Sequence, residues 1–145
     1  MSSLMIEEEE LTGRIINVFY KVYNALGYGF LERVYQNAMV IELASQGLVV
    51  ETEKTISVFY NGRLVGSFAA DLIVEDKVIL ELKAKETIAD AHVAQLTNYL
   101  RSTHLEVGLL LNFGRRPEFK RRYFPNSNKN TSDGSDPGLL NSLLS

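Results

Sequence analysis

The chain has 145 residues, of which 46% are hydrophobic and 23% charged, and its formal net charge is −3. These values predict one globular domain, which we place at residues 7–124, and the negative charge argues against a protein that coats nucleic acid. The sequence has no cysteine and only two histidines. Disulfides and thiolate or histidine-rich metal sites are therefore excluded, and any bound metal ion must be held mainly by oxygen ligands.

The N-terminal segment has neither the basic start nor the apolar stretch of a signal peptide, because MSSLMI is followed directly by four glutamates. No apolar run approaches the roughly 20 residues that span a bilayer. We therefore expect a cytoplasmic protein that does not insert into a membrane.

Two helices are predicted first. In the segment 7–26, apolar residues recur at helical spacing, and Gly27 offers a left-handed stop. A second helix is predicted over 31–46 and ends at Gly47. The apolar residues of the first helix are Leu11, Ile15, Val18, Phe19 and Val22.

The next segment is rich in Val, Thr, Ile and Tyr, which favours strands. Strands are predicted at 48–60, 64–74 and 77–83. Asn61-Gly62 is a strong hairpin signal, and Glu75-Asp76 predicts a second tight turn.

A helix is then predicted at 88–102, an apolar central strand at 107–111 and a last helix at 117–123. Residues 125–145 are dominated by Asn, Ser, Gly, Asp and Lys, so we expect a flexible C-terminal tail. The order of elements indicates an α/β (α+β) fold with a mixed central β-sheet flanked by helices.

An acidic pair on two predicted strands is the strongest chemical signal. On the strand 77–83, Glu81 and Lys83 share a face because side chains alternate, and Asp71 lies on the preceding strand. If Val74 pairs with Val78, Asp71 falls opposite Glu81, with β-carbons roughly 5 Å apart. The two carboxylates would repel unless a cation bridges them or one is protonated, and a hard divalent ion is the natural cation.

The same alternation predicts that Phe68, Ala70, Leu72 and Val74 share one face of their strand, opposite Asp71. Lys83 adds a positive charge that can orient a water nucleophile or stabilise charge on phosphoryl oxygens. A simple salt bridge between Lys83 and the acids is the alternative, because Asp followed ten residues later by Glu-x-Lys is a loose pattern.

Two helical motifs accompany the acids. The segment 29–35 reads G-x-x-E-x-x-Y and contains Glu32 and Tyr35, and the third helix carries Gln95 and Tyr99 as Q-x-x-x-Y. Each residue also has an ordinary structural explanation. Glu32 suits a helix N-terminus, the tyrosines suit core packing and Gln95 suits a solvent-facing position.

With these motifs the sequence, over about residues 11–124, resembles the GxxExxY family of the PD-(D/E)XK nuclease superfamily. Further matching segments are Ala70-Asp71-Leu72, Glu81-Leu82-Lys83-Ala84, Gln95–Leu100 and Leu111-Asn112-Phe113-Gly114. The sequence departs from the family pattern at Tyr23, where many relatives have histidine, and at Tyr28, where they have proline.

The resemblance implies a restriction-endonuclease-like core in which Asp71, Glu81 and the Leu82 carbonyl bind Mg²⁺ or Mn²⁺. Glu32 would lie close to that ion as a third acid, and Lys83 would be the catalytic lysine. Gln95 and Tyr99 resemble the accessory pair of RecB-like nucleases, which helps to hold the substrate or the site.

Our leading hypothesis is a metal-dependent nuclease that hydrolyses phosphodiester bonds of DNA or, less favoured, RNA. Substrate contacts are assigned to Tyr35, Tyr99, Arg115 and Arg116, the last two in the basic segment 113–124, which a solvated helix face explains equally well. An alternative is a catalytically silent module that binds nucleic acid or a protein partner. A third is a subunit of a homo-oligomer or of a larger repair or defence complex.

Overall fold

The structure is a computed structural model, and it describes residues 3–129. The predicted helices and strands before residue 112 are all present. The elements are α1 (Ser3–Leu26), α2 (Glu32–Ser45), β1 (Val50–Tyr60), β2 (Arg63–Val74), β3 (Val78–Lys83), α3 (Asp90–Arg101), β4 (Val107–Phe113), β5 (Pro117–Tyr123) and a 3₁₀ turn (Asn126–Asn128).

The strands form one five-stranded sheet in the order β1-β2-β3-β4-β5. The neighbours β3 and β4 are parallel, and α3 provides the crossover between them, whereas every other pair is antiparallel. A parallel pair requires such a crossover, because a tight turn joins only antiparallel strands. The predicted mixed sheet flanked by helices is confirmed.

The predicted helix at 117–123 is wrong, because these residues form strand β5. A short turn after Phe113 folds the chain back, and β5 pairs with β4 from Phe113–Pro117 to Val107–Tyr123. The strand lies at the sheet edge, where a proline at the first position is tolerated and basic side chains discourage pairing with other chains. Strand β4 also runs two residues beyond its predicted end.

Two hydrophobic layers cover the sheet. One packs α1 and α2 against alternate residues of the central strands, including Leu80 and Leu109. The other packs α3 against the opposite face, where Ile79 and Leu110 meet Leu96. Both faces of β4 are buried, as expected for a central strand. Within the described residues, none of the helices has the length and apolar content needed to cross a bilayer.

Strand β2 changes the side of the sheet that its side chains face at Asp71. Leu72 contacts the α1–α2 layer, whereas Ala70 belongs to the α3 layer. The prediction that these two residues share one face is therefore wrong. Across from Asp71, between the pairs Thr52–Leu72 and Lys54–Ala70, residue Glu53 has a φ of +53°. The irregular backbone of β1 thus lies opposite the point where the regular alternation of β2 is interrupted.

The first part of the predicted tail contacts the domain. The Lys129 ammonium group donates hydrogen bonds to the carbonyl oxygens of Thr103 and Leu105, at 2.6 and 2.9 Å. The contacts therefore continue five residues beyond the predicted domain boundary. Residues 130–145 lie outside the described part of the chain, and their flexibility stays a prediction.

The end of β4 lies close against the chain that follows β3. A β-carbon added at Gly114 would lie 2.0 Å from the carbonyl oxygen of Lys85. We expect Gly114→Ala to lower the free energy of unfolding by about 1–3 kcal/mol, because relief of this overlap requires the backbone to move. Equilibrium unfolding in urea measures the change.

Gly13→Ala is the matched control. Apart from its chain neighbours and the backbone of its own helix, no atom lies within 4 Å of the β-carbon that this substitution would add in α1. Alanine should therefore stabilise the helix by about 1 kcal/mol. Equal effects of the two substitutions would contradict the close approach of Gly114 to Lys85.

Candidate active site

Asp71 and Glu81 lie side by side where β2 and β3 separate. The predicted pairing of Val74 with Val78 is confirmed, and the ladder continues to Leu72–Leu80, one residue short of the two acids. Beyond that point the backbone N–H of Leu82 donates to Oδ2 of Asp71, at 2.8 Å. The Asp71 side chain thus replaces the next rung of the ladder and is held against β3.

The Glu81 carboxyl group is buried, with 6% of the residue exposed. Its Oε1 atom has no hydrogen-bond partner among the described residues. Burial, and secondarily the neighbouring charge of Asp71, raise the pKa of Glu81 to about 9, and the charge of Lys83 opposes this shift. Without a cation, Glu81 therefore carries a proton at neutral pH.

An unpaired, buried carboxylate oxygen beside a second carboxylate suits a hard divalent cation. The observed residues therefore fit the predicted Mg²⁺ or Mn²⁺. The Leu82 carbonyl belongs to the residue whose N–H holds Asp71. Its assignment as a further ligand stays a prediction.

Tyr99 of α3 lies above the acids. Its ring stacks on Phe68, with centroids 3.6 Å apart and planes 10° from parallel. Burial, followed by the charges of Glu81 and Asp71, raises the pKa of Tyr99 to about 12, so the hydroxyl keeps its proton. Gln95 lies one helical turn earlier and is exposed. Its predicted role stays a prediction.

Glu32 does not complete a three-acid site. Within residues 3–129, no group of three or more acidic, histidine or cysteine side chains is placed to hold a metal ion. Helix α2 packs with α1 on one layer of the sheet, whereas Tyr99 and α3 cover the other. Glu32 instead lines a cleft with residues 84–86 and 113–115. The described residues therefore do not bring Glu32 together with Asp71 and Glu81 as a third ligand, and a role for Glu32 farther from the ion stays a prediction.

Tyr35 is not available for substrate in this structure, because it is fully buried. Its ring stacks on Phe113 at 4.2 Å. Its hydroxyl donates to the Gly27 carbonyl at 2.7 Å and accepts from the Phe30 N–H at 3.2 Å. The assignment of Tyr35 to substrate is corrected: it anchors the turn between α1 and α2.

Sequence reasoning missed Gln36, which connects α2 to the acidic pair. Its amide nitrogen lies 3.3 Å from the Asp71 carbonyl oxygen and 3.0 Å from Oε1 of Glu53. Gln36 is 5% exposed. A polar residue on the same buried stripe as Met39 and Leu43 was the available signal, because buried amides require partners.

Arg115 and Arg116 are exposed in the turn between β4 and β5. The Arg115 guanidinium lies 5.5 Å from the centre of the Tyr28 ring. The Tyr23 hydroxyl shares its hydrogen between the carbonyl oxygens of Gly114 and Arg115, at 2.8 and 2.7 Å. The remaining basic residues of the segment lie on edge strand β5 rather than on a helix.

Two solved structures are similar to this chain. The structure of SSO0001 is similar with a TM-score of 0.52 at 20% identity, covering 65% of this chain and 50% of that one. This chain thus spans about half the length of that protein. An alkaline exonuclease (LHK-Exo) from Laribacter hongkongensis gives a TM-score of 0.47 at 11% identity, covering 66% and 57% of the two chains. No curated protein matches the sequence significantly.

The sequence model of one family matches residues 9–122, which is most of the chain, and that family is described as the PD-(D/E)XK nuclease superfamily. This match agrees with the predicted restriction-endonuclease-like core. The protein therefore belongs to the PD-(D/E)XK nuclease superfamily.

Proposed function

We propose that the protein is a metal-dependent nuclease that hydrolyses phosphodiester bonds of DNA, with RNA as the less favoured substrate. The observation that carries the proposal is the buried pair Asp71–Glu81, with an unpaired carboxylate oxygen and Lys83 beside it. Membership of the superfamily supports it. Assignment to the GxxExxY family within the superfamily, and a cytoplasmic location, are part of the same proposal.

Asp71 and Glu81, with the Leu82 carbonyl, would hold Mg²⁺ or Mn²⁺. When bound, the ion supplies Lewis-acid activation of water and stabilisation of phosphate charge. The Asp71 carboxylate is already oriented before the ion binds, because the Leu82 N–H donates a hydrogen bond to one of its oxygens. Glu81 must give up its proton to act as a ligand, so binding of the ion releases a proton at neutral pH.

Lys83 faces the scissile phosphate in this proposal. Its ammonium group stabilises the negative charge that develops on the phosphoryl oxygens or orients the attacking water. The protonated hydroxyl of Tyr99 is a hydrogen-bond donor beside the acids. Gln95, Arg115 and Arg116 are proposed to contact the nucleic acid farther from the reacting atoms.

A cleavage assay tests the activity. With Mn²⁺ or Mg²⁺ and labelled DNA or RNA, we expect Asp71→Asn and Lys83→Met each to lower the rate at least about 100-fold, the scale seen when one charge-stabilising group is removed. Asp90→Asn and Lys21→Met, which remove matching charges at exposed positions of α3 and α1, are the controls. Equal cleavage by the site variants and the wild type would assign the activity to another protein or site.

Metal binding separates the nuclease from a catalytically silent module that retains the fold. We expect isothermal titration calorimetry to show one Mn²⁺ site with millimolar or tighter affinity, and Asp71→Asn to abolish it. The heat should depend on the ionisation enthalpy of the buffer, because Glu81 loses a proton on binding. Absence of binding by the wild type would favour the module.

The raised pKa of Glu81 also predicts how stability changes with pH. In a chelator the folded protein retains a proton, with a pKa of about 9, that the unfolded chain releases near the ordinary value of 4.5. The free energy of unfolding should therefore fall as pH rises between these values. Glu81→Gln cannot ionise, so its Tm should exceed that of the wild type by several °C at pH 8.5 and by less at pH 5.5.

Glu9→Gln, which removes an exposed carboxyl group of α1, is the control and should show no such trend. Adding Mn²⁺ should reverse the order, because the wild type gains a bound ion and Glu81→Gln gains little. A constant Tm difference between Glu81→Gln and the wild type across this pH range would contradict the raised pKa.

A further inference from the structure

A cleft of about 410 Å³ lies at the carboxyl ends of β3 and β4, against the first turn of α2. Its walls are residues 28–32, 84–86 and 113–115, and we call it the β3–β4 cleft. Its volume falls within the range of small-molecule sites. The wall 84–86 begins directly after Lys83, so the cleft continues from the acidic pair along the same chain segment.

The first wall is fixed from beneath. The buried hydroxyl of Tyr35 bonds to the Gly27 carbonyl and to the Phe30 N–H, as described above. The Phe30 ring also meets the Tyr35 ring edge to face, with centroids 6.0 Å apart. The Tyr35 side chain therefore holds the backbone on both sides of Tyr28 and packs against the Phe30 ring.

The second and third walls are joined by a buried amide. The fully buried Asn112 accepts a hydrogen bond from the Lys85 N–H and donates one to the Lys85 carbonyl, both at 2.9 Å. Tyr23 holds the adjoining carbonyl oxygens of Gly114 and Arg115. Three buried or half-buried polar side chains thus pre-organise the cleft, an arrangement typical of a binding site rather than of a surface irregularity.

Two aromatic rings of this cleft are exposed to solvent. Tyr28 is 56% exposed and Phe30 is 46% exposed. The Arg115 guanidinium lies near the Tyr28 ring. Exposed rings beside cations are the combination on which unpaired bases stack, because every base has a flat π-face.

The charges of the cleft are mixed. Lys85 and Arg115 are positive, whereas Glu32 and Glu86 are negative. Free phosphate alone would be repelled by the carboxylates. A nucleotide can bind side chains of both charges. Its phosphate can pair with the cations, and the amino groups of its base can donate hydrogen bonds to the carboxylates.

We propose that the β3–β4 cleft binds an unpaired nucleotide, with its base stacked on Tyr28 and Phe30 and its phosphate near Lys85 and Arg115. This inference rests on the proposed function, because it assumes that nucleic acid reaches the acidic pair. It specifies the substrate class: a single strand or frayed end should bind better than a blunt duplex.

Fluorescence anisotropy in a chelator tests the inference without cleavage. The probes are a single-stranded DNA of about 12 nucleotides, which is long enough for one site, the same strand with abasic positions throughout, and the blunt duplex. The wild type should bind the intact strand at least about 5-fold more tightly than either other probe. The abasic strand keeps the phosphates, so its weaker binding isolates the contribution of the bases.

Three tyrosine variants localise the effect. Tyr28→Leu should weaken binding of the intact strand about 5- to 50-fold, the range for loss of one stacked base, whereas Tyr28→Phe keeps a ring and should bind like the wild type. Tyr60→Leu is the matched control, since Tyr60 is 65% exposed at the tip of the β1–β2 hairpin. Wild-type affinity of Tyr28→Leu, or equal losses in Tyr28→Leu and Tyr60→Leu, would overturn the proposal, as would equal binding of all three probes.

The failure of this inference is distinguishable from that of the proposed function. Binding of the single strand that depends on the Tyr28 ring, without Mn²⁺-dependent cleavage, would support nucleotide binding in the cleft and contradict the proposed nuclease activity. Cleavage that depends on Asp71 but is unchanged in Tyr28→Leu, with equal rates on single strand and duplex, would give the opposite result. It would contradict nucleotide binding in the cleft and support the proposed nuclease activity.

Discussion

The burial of two carboxyl groups side by side on neighbouring strands is the constraint on which the candidate site depends. Asp71 and Glu81 meet where the β2–β3 ladder ends, and burial raises the pKa of Glu81 to about 9. A protein gains no stability from such a pair in the absence of a cation. The Leu82 N–H nevertheless holds Asp71 beside Glu81. A buried pair with a strongly shifted pKa is more typical of functional sites than of stabilising contacts.

Local turn chemistry made this pair predictable from sequence. Three residues, Glu75 to Lys77, connect Val74 to Val78; Glu75 and Asp76 both have positive φ, and the Lys77 N–H donates to the Val74 carbonyl. Once that register is known, the position of Asp71 opposite Glu81 follows.

Strand β5 was not predictable in this way. An edge strand rich in basic residues has no clear alternation, so it was mistaken for a helix.

The positions of other residues near the site depend on tertiary contacts, so they could not be predicted from the sequence. Glu32 and Tyr35 are separated by three residues and were expected to serve the same site. Instead, Tyr35 packs into the core against Phe113, whereas Glu32 lies half-exposed on the cleft. The orientation of α2 relative to the sheet decides this, and no local pattern encodes it. Asn112 lies just beyond the predicted end of the apolar strand, and only the structure shows that it is buried and holds Lys85.

Strand β3 connects the two sites in chain order. It carries Glu81 and Lys83 at the acidic pair, and the cleft wall at residues 84–86 follows directly after its last residue. The four residue steps from Glu81 to Lys85 span at most about 13 Å, the length of about four stacked nucleotides of one strand. In the proposed complex, a nucleic-acid strand that follows this segment needs only a few unpaired nucleotides to reach both the acidic pair and the β3–β4 cleft.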